Sequence, residues 1–247
     1  MKRKNRILFI SLIIMGLGLI LTNSCTKDDD EIDTGSVSDK DGNVYSTVTI
    51  GTQTWMAENL AYLPSVSPSS SGSQTSPYYY VYGYEGTSVS SAKATENYST
   101  YGVLYNWQAA TSACPDGWHL PTDEEWAELE NYLADNGYNY DGTTGGGRDK
   151  IAKAIASDYG WIVSSKTGAV GNTDYPDKRN ASDFTALPGG YRGYNDFYYV
   201  GNYGLWWSAT EGDATFAWSH NIGYNGADVS RGDSGKEGGF SVRCVKD

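Results

Sequence analysis

Helical periodicity is confined to two segments of an otherwise irregular hydrophobic pattern. The longer one begins with a capping box at residues 122–125, in which the Thr122 hydroxyl can accept from the third helical amide while Glu125 reaches back. Its apolar face is marked by Trp126, Leu129, Tyr132 and Leu133. We expect Gly137 to end this helix. A second, shorter helix is predicted near residues 149–157, with Ile151, Ala154 and Ile155 facing inward.

Alternating apolar and polar positions predict a hairpin near the start of the folded region. Residues 44–50 alternate in this way directly after a polar, glycine-containing turn at residues 39–43. The turn also has the Asp-x-Asp-x-Asn spacing of a calcium loop, but Ile50 stands where such a loop needs its bidentate acid. The hairpin is therefore the favoured interpretation.

Two neighbouring segments of opposite character follow. Residues 65–76 are rich in serine, proline and glycine, which predicts a surface insertion with nothing to bury. Residues 78–82 consist of four tyrosines and a valine and are compatible with a strand. Apart from the two helical segments, the pattern is thus one of short strands joined by long loops.

The last part of the chain, residues 188–247, interleaves two kinds of residue. Trp206, Trp207 and Trp218 are the expected core, together with a closing frame at residues 239–244. Between them lie many Tyr, Asn, Asp, Ser and Gly residues, a composition typical of antibody-like binding loops. This composition favours a binding surface over an active site, although ordinary tyrosine-rich loops would have it too.

The candidate ligand-binding residues lie in two stretches of this region, at residues 194–203 and 220–231. They are Tyr194, Asn195, Asp196, Phe197, Tyr198, Tyr199, Asn202, Tyr203, His220, Asn221, Tyr224, Asn225, Asp228, Ser230 and Arg231. Exposed aromatic rings in such a set can stack on sugar faces or fill protein pockets. The predicted partner is therefore a protein or glycan ligand.

The first residues of the chain predict export and lipid anchoring. A basic start is followed by an apolar run at residues 7–21, which suits a secretory signal and is short for a membrane span. The run ends in a sequence that resembles a bacterial lipobox with Cys25 as the lipidated residue. An ordinary signal peptide or an uncleaved anchor is the alternative.

The residues after Cys25 bear on location. The acids at residues 28–31 resemble the tag that sends Bacteroidota lipoproteins to the outer face of the outer membrane, although a solvated linker would look the same. We therefore divide the chain into a signal peptide (1–24), an acidic tether (25–38) and one folded domain (39–247). The expected location is the outer membrane, with the domain exposed at the cell surface and membrane contact through the lipid alone.

Charge and cysteine content narrow the function further. The net charge is −12, and removal of residues 1–24 takes away four basic residues and no acid, so we expect no nucleic-acid partner. If Cys25 carries lipid, Cys114 and Cys244 remain as an even pair in an oxidising compartment. A single disulfide is expected, with two buried free thiols as the alternative.

Catalytic and metal motifs are scarce in the sequence. Neither HExxH, CxxC nor GxSxG occurs, and the two histidines are His119, which we expect to be packed and hydrogen-bonded, and His220. We predict no catalytic residues, no metal ligands and no cofactor. A structural calcium site is the one reservation, at Asp174, Asp177 and Asp183.

Several motifs, in order along residues 39–247, resemble one bacterial family. They are Gln53-Thr54-Trp55-Met56-Ala57-Glu58-Asn59-Leu60, Leu104-Tyr105-Asn106-Trp107, residues 114–122 with Glu125-Trp126, residues 206–210, and residues 239–244. Together they resemble the Fibrobacter succinogenes major paralogous domain, which is similar to the C-type-lectin-like fold in the branch shared with formylglycine-generating enzymes. The resemblance implies an α+β domain of short twisted antiparallel strands, about two helices and long loops, with Cys114 tied to Cys244.

The resemblance also frames the function. The enzymes of that branch need a pair of reactive cysteines, which this chain lacks after Cys25 if Cys114 and Cys244 are structural, so we expect no enzyme. The composition near the C-terminus also resembles that of variable proteins diversified by retroelements. The leading hypothesis is a surface lipoprotein that binds a ligand for adhesion or recognition. A glycan-capture accessory protein and a degenerate enzyme of the formylglycine-generating type are the alternatives.

Overall fold

The computed structural model of this chain describes residues 35–247. The predicted signal peptide, the lipidated Cys25 and most of the predicted tether lie outside the described residues. Among residues 35–247, no helix has the length and apolar character that crossing a membrane requires. The last residues of the predicted tether, Ser36–Ser38, form a strand that pairs with residues 44–46.

The described part of the chain contains twelve short strands and five short-to-medium helices. The strands are β1 (Ser36–Ser38), β2 (Val44–Ile50), β3 (Gln53–Met56), β4 (Tyr79–Tyr80), β5 (Leu104–Tyr105), β6 (Trp118–His119), β7 (Tyr191–Arg192), β8 (Phe197–Tyr198), β9 (Tyr203–Glu211), β10 (Phe216–Gly223), β11 (Ser230–Gly235) and β12 (Val245–Lys246). The helices are α1 (Val89–Lys93), α2 (Glu96–Tyr101), α3 (Trp107–Ala110), α4 (Asp123–Asp135) and α5 (Ala152–Ile155), with 3₁₀ turns at Gly147–Asp149 and Pro176–Lys178. The fold is thus mixed α+β, as predicted.

Antiparallel pairing joins distant parts of the chain into one sheet of five strands, in the order β1-β2-β3-β12-β6. The last strand lies inside this sheet, with Val245 opposite both Trp55 and His119. The predicted disulfide between Cys114 and Cys244 is present beside it, with its Cα atoms 6.0 Å apart. A cross-link over 130 residues stabilises the fold by about 4–5 kcal/mol in the chain-entropy model.

The hairpin predicted near the start of the domain is present, and β4 lies within the strand predicted at residues 78–82. The turn at residues 39–43 joins β1 to β2, and the Asp39 carboxylate accepts from the amides of Asp41 and Asn43 at 2.8 and 3.0 Å. It also accepts from the Tyr45 hydroxyl at 2.5 Å. The Asp39 carboxylate therefore closes the turn with protein donors, which confirms the hairpin interpretation.

The predicted capping box begins α4, and both of its hydrogen bonds are present. One position of the predicted apolar face is wrong: Tyr132 is exposed, whereas Glu130 is buried. Helical geometry explains this, since Tyr132 lies roughly 130° round the axis from the centre of the buried face while Glu130 lies within about 30° of it. The second predicted helix is confirmed as α5, but it is only four residues long.

A second sheet, in the order β11-β10-β9, separates two hydrophobic cores. The consecutive Trp206 and Trp207 of β9 point to opposite faces, as the two-residue period of a strand requires, and both are buried as predicted. Trp206 packs near Trp126, whereas Trp207 stacks on Phe240 at 4.3 Å between ring centroids. The prediction for Trp218 is wrong: this residue is half-buried, beside an irregularity in the pairing of β10 with β9.

Candidate ligand-binding site

The β7–β8 hairpin presents the first stretch of candidate residues. Tyr191 pairs with Tyr198, and the Gly193 amide donates to the Asp196 carbonyl at 2.9 Å to close the turn. The hairpin tip carries Tyr194, which is 76 % exposed and whose side chain has no hydrogen-bond or ring partner among the described residues. Asn195 and Asp196 beside it are also exposed, while Phe197 is half-buried against Tyr82.

Arg192 holds this hairpin from behind. It is 1 % exposed, and its guanidinium lies over the Tyr80 ring at 4.9 Å. The guanidinium donates to four carbonyl oxygens, those of Ser69 (2.8 Å), Ser71 (3.0 Å), Tyr194 (2.7 Å) and Glu237 (2.7 Å). A buried cation without a carboxylate partner is stabilised only if its N–H groups find hydrogen-bond acceptors. Here four carbonyl oxygens accept charge-assisted hydrogen bonds from it. Arg192 therefore fixes the backbone on three sides of the hairpin tip.

The structure corrects the prediction for residues 65–76. This segment is ordered and packed, with Val66 and Ser69 buried. The Ser69 hydroxyl contacts the Asn195 carbonyl at 2.9 Å, and the Asn106 amide donates to two further carbonyls of the segment, at Ser73 and Ser76. Low apolar content gave the wrong expectation because the segment is held mainly by polar contacts, of its carbonyl groups with Arg192 and Asn106 and of the Ser69 hydroxyl with Glu85 and Asn195.

Gly72 shows how closely the segment approaches the arginine. A side chain at this position would place its Cβ atom 2.8 Å from the Arg192 guanidinium nitrogens. Only glycine leaves room there. Residues 65–76 thus form one wall of the candidate site, and Arg192 fixes the position of that wall.

Four tyrosines form an aromatic patch at the base of the hairpin, which we call the tyrosine cluster. Its members are Tyr191, Tyr198, Tyr199 and Tyr203, with neighbouring ring centroids 5.6–6.2 Å apart. Tyr198 and Tyr199 are the most exposed, at 40 % and 53 %. Burial, followed by the neighbouring tyrosines, raises the pKa of Tyr191 above its ordinary value.

Tyr199 has a backbone conformation that is rare for a tyrosine. Its φ of 62° lies in the left-handed region, which bulky side chains avoid. Its carbonyl accepts from the amides of Asn202 and Tyr203 at 3.0 and 3.1 Å, which holds the turn in place. The surrounding structure thus keeps the Tyr199 ring at the surface despite the cost of this conformation.

Two adjoining cavities flank Tyr194. The aromatic cavity, of about 160 Å³, has Tyr191, Tyr194 and Phe240 in its walls. The polar cavity, of about 350 Å³, is bounded instead by the hydroxyls and amides of Ser70, Ser73, Gln74 and Asn195. Both are lined by Arg192, Tyr194 and Glu237, so we treat them as one feature, the Tyr194 groove.

The Glu237 carboxylate is a central polar group of the groove. It accepts from the Gln74 amide at 2.7 Å, which links the wall formed by residues 65–76 to the turn after β11. Neither Glu237 nor Gln74 was among the predicted site residues. Nothing in the sequence near them indicated this contact, because 163 positions separate the two residues.

The second candidate stretch only partly joins this surface. Asn221 pairs with Ser230 between β10 and β11, and by strand alternation both share the sheet face of Tyr203. The two stretches meet where the Tyr224 amide donates to the Asn202 carbonyl at 2.8 Å. Asn225 and Asp228 lie in the loop between β10 and β11, whose carbonyls accept from the amides of Ala152, Val170 and Gly171.

The remaining two candidates, His220 and Arg231, lie on the opposite face of the sheet. His220 is 1 % exposed and stacks on Trp126, with Nδ1 2.8 Å from Glu130 and Nε2 3.1 Å from Asp123. Arg231 pairs opposite His220 and donates twice to Asp123, at 2.6 Å each. Strand register places both under α4, and burial leaves His220 no access to a ligand.

We call Asp123, Glu130, His220 and Arg231 the α4 ion cluster. Burial alone would raise the pKa of Asp123, but the hydrogen bonds and charge of Arg231 lower it overall. The Arg231 guanidinium also lies 3.4 Å from the Trp218 ring centroid, which accounts for the half-exposed tryptophan. A glutamate at helical spacing between Trp126 and Leu133 was the sequence signal for this cluster.

The other histidine is hydrogen-bonded, as predicted, but it is not fully packed, since its side chain is 37 % exposed. His119 Nδ1 lies 2.6 Å from Asp247 and Nε2 lies 2.8 Å from Glu125. Partial burial would lower the pKa of His119, but these two carboxylates raise it overall. The imidazole therefore ties the start of α4 to the C-terminal end of the chain.

Asp174, one of the three residues of the predicted calcium site, is paired within the protein. The buried Lys153 ammonium lies 2.5 Å from the Asp174 carboxylate, which also accepts from the Gly168 amide at 2.8 Å. Within residues 35–247, no three or more His, Cys, Asp or Glu side chains converge so as to hold a metal ion. Both cysteines in the described range are joined in the disulfide.

Comparison with known proteins gives one result. The family model described as the Fibrobacter succinogenes major domain matches residues 48–246. No curated protein and no solved structure gave a significant match. The matched region runs from β2 to β12 and includes the disulfide, the Tyr194 groove and the tyrosine cluster. The chain therefore belongs to the Fibrobacter succinogenes major domain family.

Proposed function

We propose that this protein is a lipoprotein of the cell surface whose domain, of C-type-lectin-like fold, binds a protein or glycan ligand without chemistry. The observation that carries this proposal is the exposure of Tyr194, Tyr198 and Tyr199 on a backbone that is fixed from behind. Exposed aromatic side chains on a fixed backbone lose little conformational entropy on binding. Such residues commonly dominate the binding energy of an interface.

The arrangement of buried and exposed residues supports binding over catalysis. His220 is buried and already hydrogen-bonded to Glu130 at 2.8 Å, and the part-exposed His119 has both ring nitrogens engaged by Asp247 and Glu125. The exposed surface offers tyrosines, amides and hydroxyls, which are contact groups. An enzyme of the formylglycine-generating type would also need free thiols, and Cys114 and Cys244 are bonded to each other.

Anchoring at the cell surface is proposed from the sequence of residues 1–31, with Cys25 as the lipidated residue. Protease treatment of intact cells tests it, since a surface-exposed domain is accessible to the protease and a periplasmic one is protected. Metabolic labelling with a fatty acid, lost on Cys25→Ala, tests the anchor itself.

Diversification by a retroelement is a further part of the proposal. Candidate positions such as Tyr194 and Tyr199 lie at the surface, whereas Trp206 and Trp207, which separate the two candidate stretches in the sequence, are buried. The exposed positions can therefore change without loss of the core. A neighbouring reverse transcriptase gene beside a near-repeat of residues 190–243 would support it. A genome with neither would remove it.

The binding function is tested by changing the tyrosine cluster. We expect the double variant Tyr198→Ser, Tyr199→Asn to bind its ligand at least about tenfold more weakly, because two exposed rings are lost. Asparagine is chosen since it tolerates the left-handed backbone at this position. The measurement is binding of the purified full chain to arrays of glycans and of extracellular proteins.

The control is Tyr159→Ser, which removes a tyrosine of similar exposure (57 %) outside the cluster. It should bind like the unchanged chain. If the double variant bound every ligand as tightly as the control, the tyrosine cluster would not be the binding surface.

A further inference from the structure

We propose that the ligand is a neutral glycan and that one of its sugar rings lies in the Tyr194 groove. The sugar ring would stack on Tyr194, and its hydroxyl groups would donate hydrogen bonds to the Glu237 carboxylate. This inference rests on the proposed binding function and names the class of ligand. It follows from the charge, the shape and the fixed position of the groove.

The charge of the groove selects against anions. Of the described residues that line the two cavities, only Arg192 and Glu237 carry charge. The Arg192 guanidinium is buried and directed at four carbonyl oxygens, so it serves the framework and not a ligand. Glu237 is an acceptor without a competing free cation, in a chain of net charge −12. A phosphate or carboxylate ligand would meet repulsion there.

The polar groups of the groove match a polyhydroxyl compound. An ionised carboxylate only accepts hydrogen bonds, whereas the amides of Gln74 and Asn195 and the hydroxyls of Ser70 and Ser73 can also donate. A sugar hydroxyl both donates and accepts, so it can satisfy each of these groups. Hydrogen bonds to a carboxylate are also stronger than those between neutral groups.

The shape of the groove suits a single ring beside a longer chain. The aromatic cavity, at about 160 Å³, lies below the range of about 300–1,000 Å³ usual for small-molecule sites, and the polar cavity, at about 350 Å³, lies at its lower end. A protein partner would need a broader apolar contact surface. The groove instead joins one aromatic wall to a polar wall, which fits the apolar face and the hydroxyl rim of a sugar ring.

Tyr194 is placed for stacking before any ligand arrives. Its ring is 76 % exposed, yet its carbonyl accepts from Arg192 at 2.7 Å and its neighbour Asn195 is held by Ser69 at 2.9 Å. Nothing else in the described structure uses the ring. An exposed aromatic residue with a fixed backbone and no internal contact is therefore available to a ligand at low entropic cost.

The test is affinity electrophoresis of the full chain, kept in a detergent without a sugar headgroup. The gels contain a neutral glucan, mannan, xylan or galactan, an anionic polygalacturonate, or a cationic chitosan. We expect at least one neutral polysaccharide to retard the chain, with unchanged strength between about 0.05 and 0.5 M NaCl because no ion pair forms. Tyr194→Ala should weaken this retardation about tenfold and Glu237→Gln about threefold.

Matched controls lie outside the groove. Tyr159→Ser removes an exposed tyrosine and Asp233→Asn an exposed carboxylate, and both should behave like the unchanged chain. Circular dichroism confirms folding, which we expect to be intact because Tyr194 supports no internal contact.

Three results would overturn the inference. One is retardation by chitosan alone with loss at high salt, which would indicate a cationic ligand. Another is neutral-glycan binding that survives Tyr194→Ala but is lost in the Tyr198→Ser, Tyr199→Asn variant, which would retain the proposed binding function and remove the groove. The third is binding to a protein in the arrays with no polysaccharide retarding the chain, which would retain the function and remove the glycan.

Discussion

The hairpin at residues 191–198 and the α4 ion cluster have similar residue types but use them in opposite ways. Each contains an arginine beside an aromatic ring: Arg192 lies over Tyr80 and Arg231 over Trp218. Arg192 is bonded to carbonyl oxygens and leaves the neighbouring side chains exposed. Arg231 is bonded to the Asp123 carboxylate, and this cluster directs its side chains into the fold.

The difference shows why residue composition did not separate the two regions. His220 and Asn221 are adjacent in β10, yet one is buried under α4 and the other is half-exposed on the opposite face. Strand alternation makes this division, and it follows from register and not from residue type. A surface defined by its tyrosine and asparagine content therefore needs the strand register before its members can be assigned.

The largest effect is expected from removal of Arg192. Arg192→Leu would remove the guanidinium donors from four buried or part-buried carbonyl oxygens, of which, among the described residues, only that of Ser71 keeps a second donor in the Tyr80 hydroxyl, and this should destabilise the domain by about 3–5 kcal/mol and release the hairpin tip. Urea denaturation of the full chain measures the stability, and the glycan or protein arrays measure binding. Because Arg192 fixes the hairpin that carries Tyr194, we expect ligand binding to be lost in this variant even where the fold persists.

Arg192→Lys is the control for that experiment. It keeps the charge but cannot reach four carbonyls at once, so its stability should fall between those of the unchanged chain and Arg192→Leu. A loss below about 1 kcal/mol for Arg192→Leu would mean that water satisfies the carbonyls and that the hairpin does not depend on the arginine.

A smaller effect on stability, and none on binding, is expected at His220. His220→Leu removes the partner 2.8 Å from the buried Glu130 carboxylate, and it should cost about 2–4 kcal/mol in urea denaturation. The double variant His220→Leu, Glu130→Leu should recover much of this loss because no charge is left unpaired. If His220→Leu abolished ligand binding while stability stayed unchanged, the histidine would belong to the binding surface after all.

Features specified by neighbouring residues were predictable from the sequence. The capping box of α4 involves Thr122 and Glu125 alone, and both of its hydrogen bonds were found. Trp206 and Trp207 were both expected in the core, and both are buried. They lie on opposite faces of a single strand, so no distant partner was needed to predict their burial. The cysteine pair needed only a count and an oxidising compartment.

Features that depend on distant partners were not predictable in the same way. The conformation of residues 65–76 depends on the hydrogen bond from Arg192 to the Ser69 carbonyl, and these residues lie more than a hundred positions apart in the sequence. Neither segment alone indicates the contact. The helices α1 to α3 are preceded by the N-cap residues Ser88, Thr95 and Asn106, but four to six residues are too few to show helical periodicity. The Tyr194 groove could not be predicted either, since its walls come from separate parts of the chain.

The smallest effect concerns the pH dependence of the α4 ion cluster. The pKa of Asp123 is lowered in the folded state by Arg231, so this pair stabilises the fold above the unfolded pKa of about 3.9 and loses that contribution as pH falls through the folded value. Arg231→Gln should therefore cost about 1–2 kcal/mol at pH 7, a figure reduced for the partial exposure of the arginine. The difference between variant and unchanged chain should begin to shrink as the pH falls below about 3.9 and approach zero once the pH lies below the lowered folded pKa of Asp123, where this carboxyl is protonated in both chains. Urea denaturation at a series of pH values measures it, with Arg148→Gln, an arginine that has no ion-pair partner among the described residues, as the control. A difference that stayed constant as the pH falls through the folded pKa of Asp123 would show that Arg231 acts through its stacking on Trp218 and not through the Asp123 carboxylate.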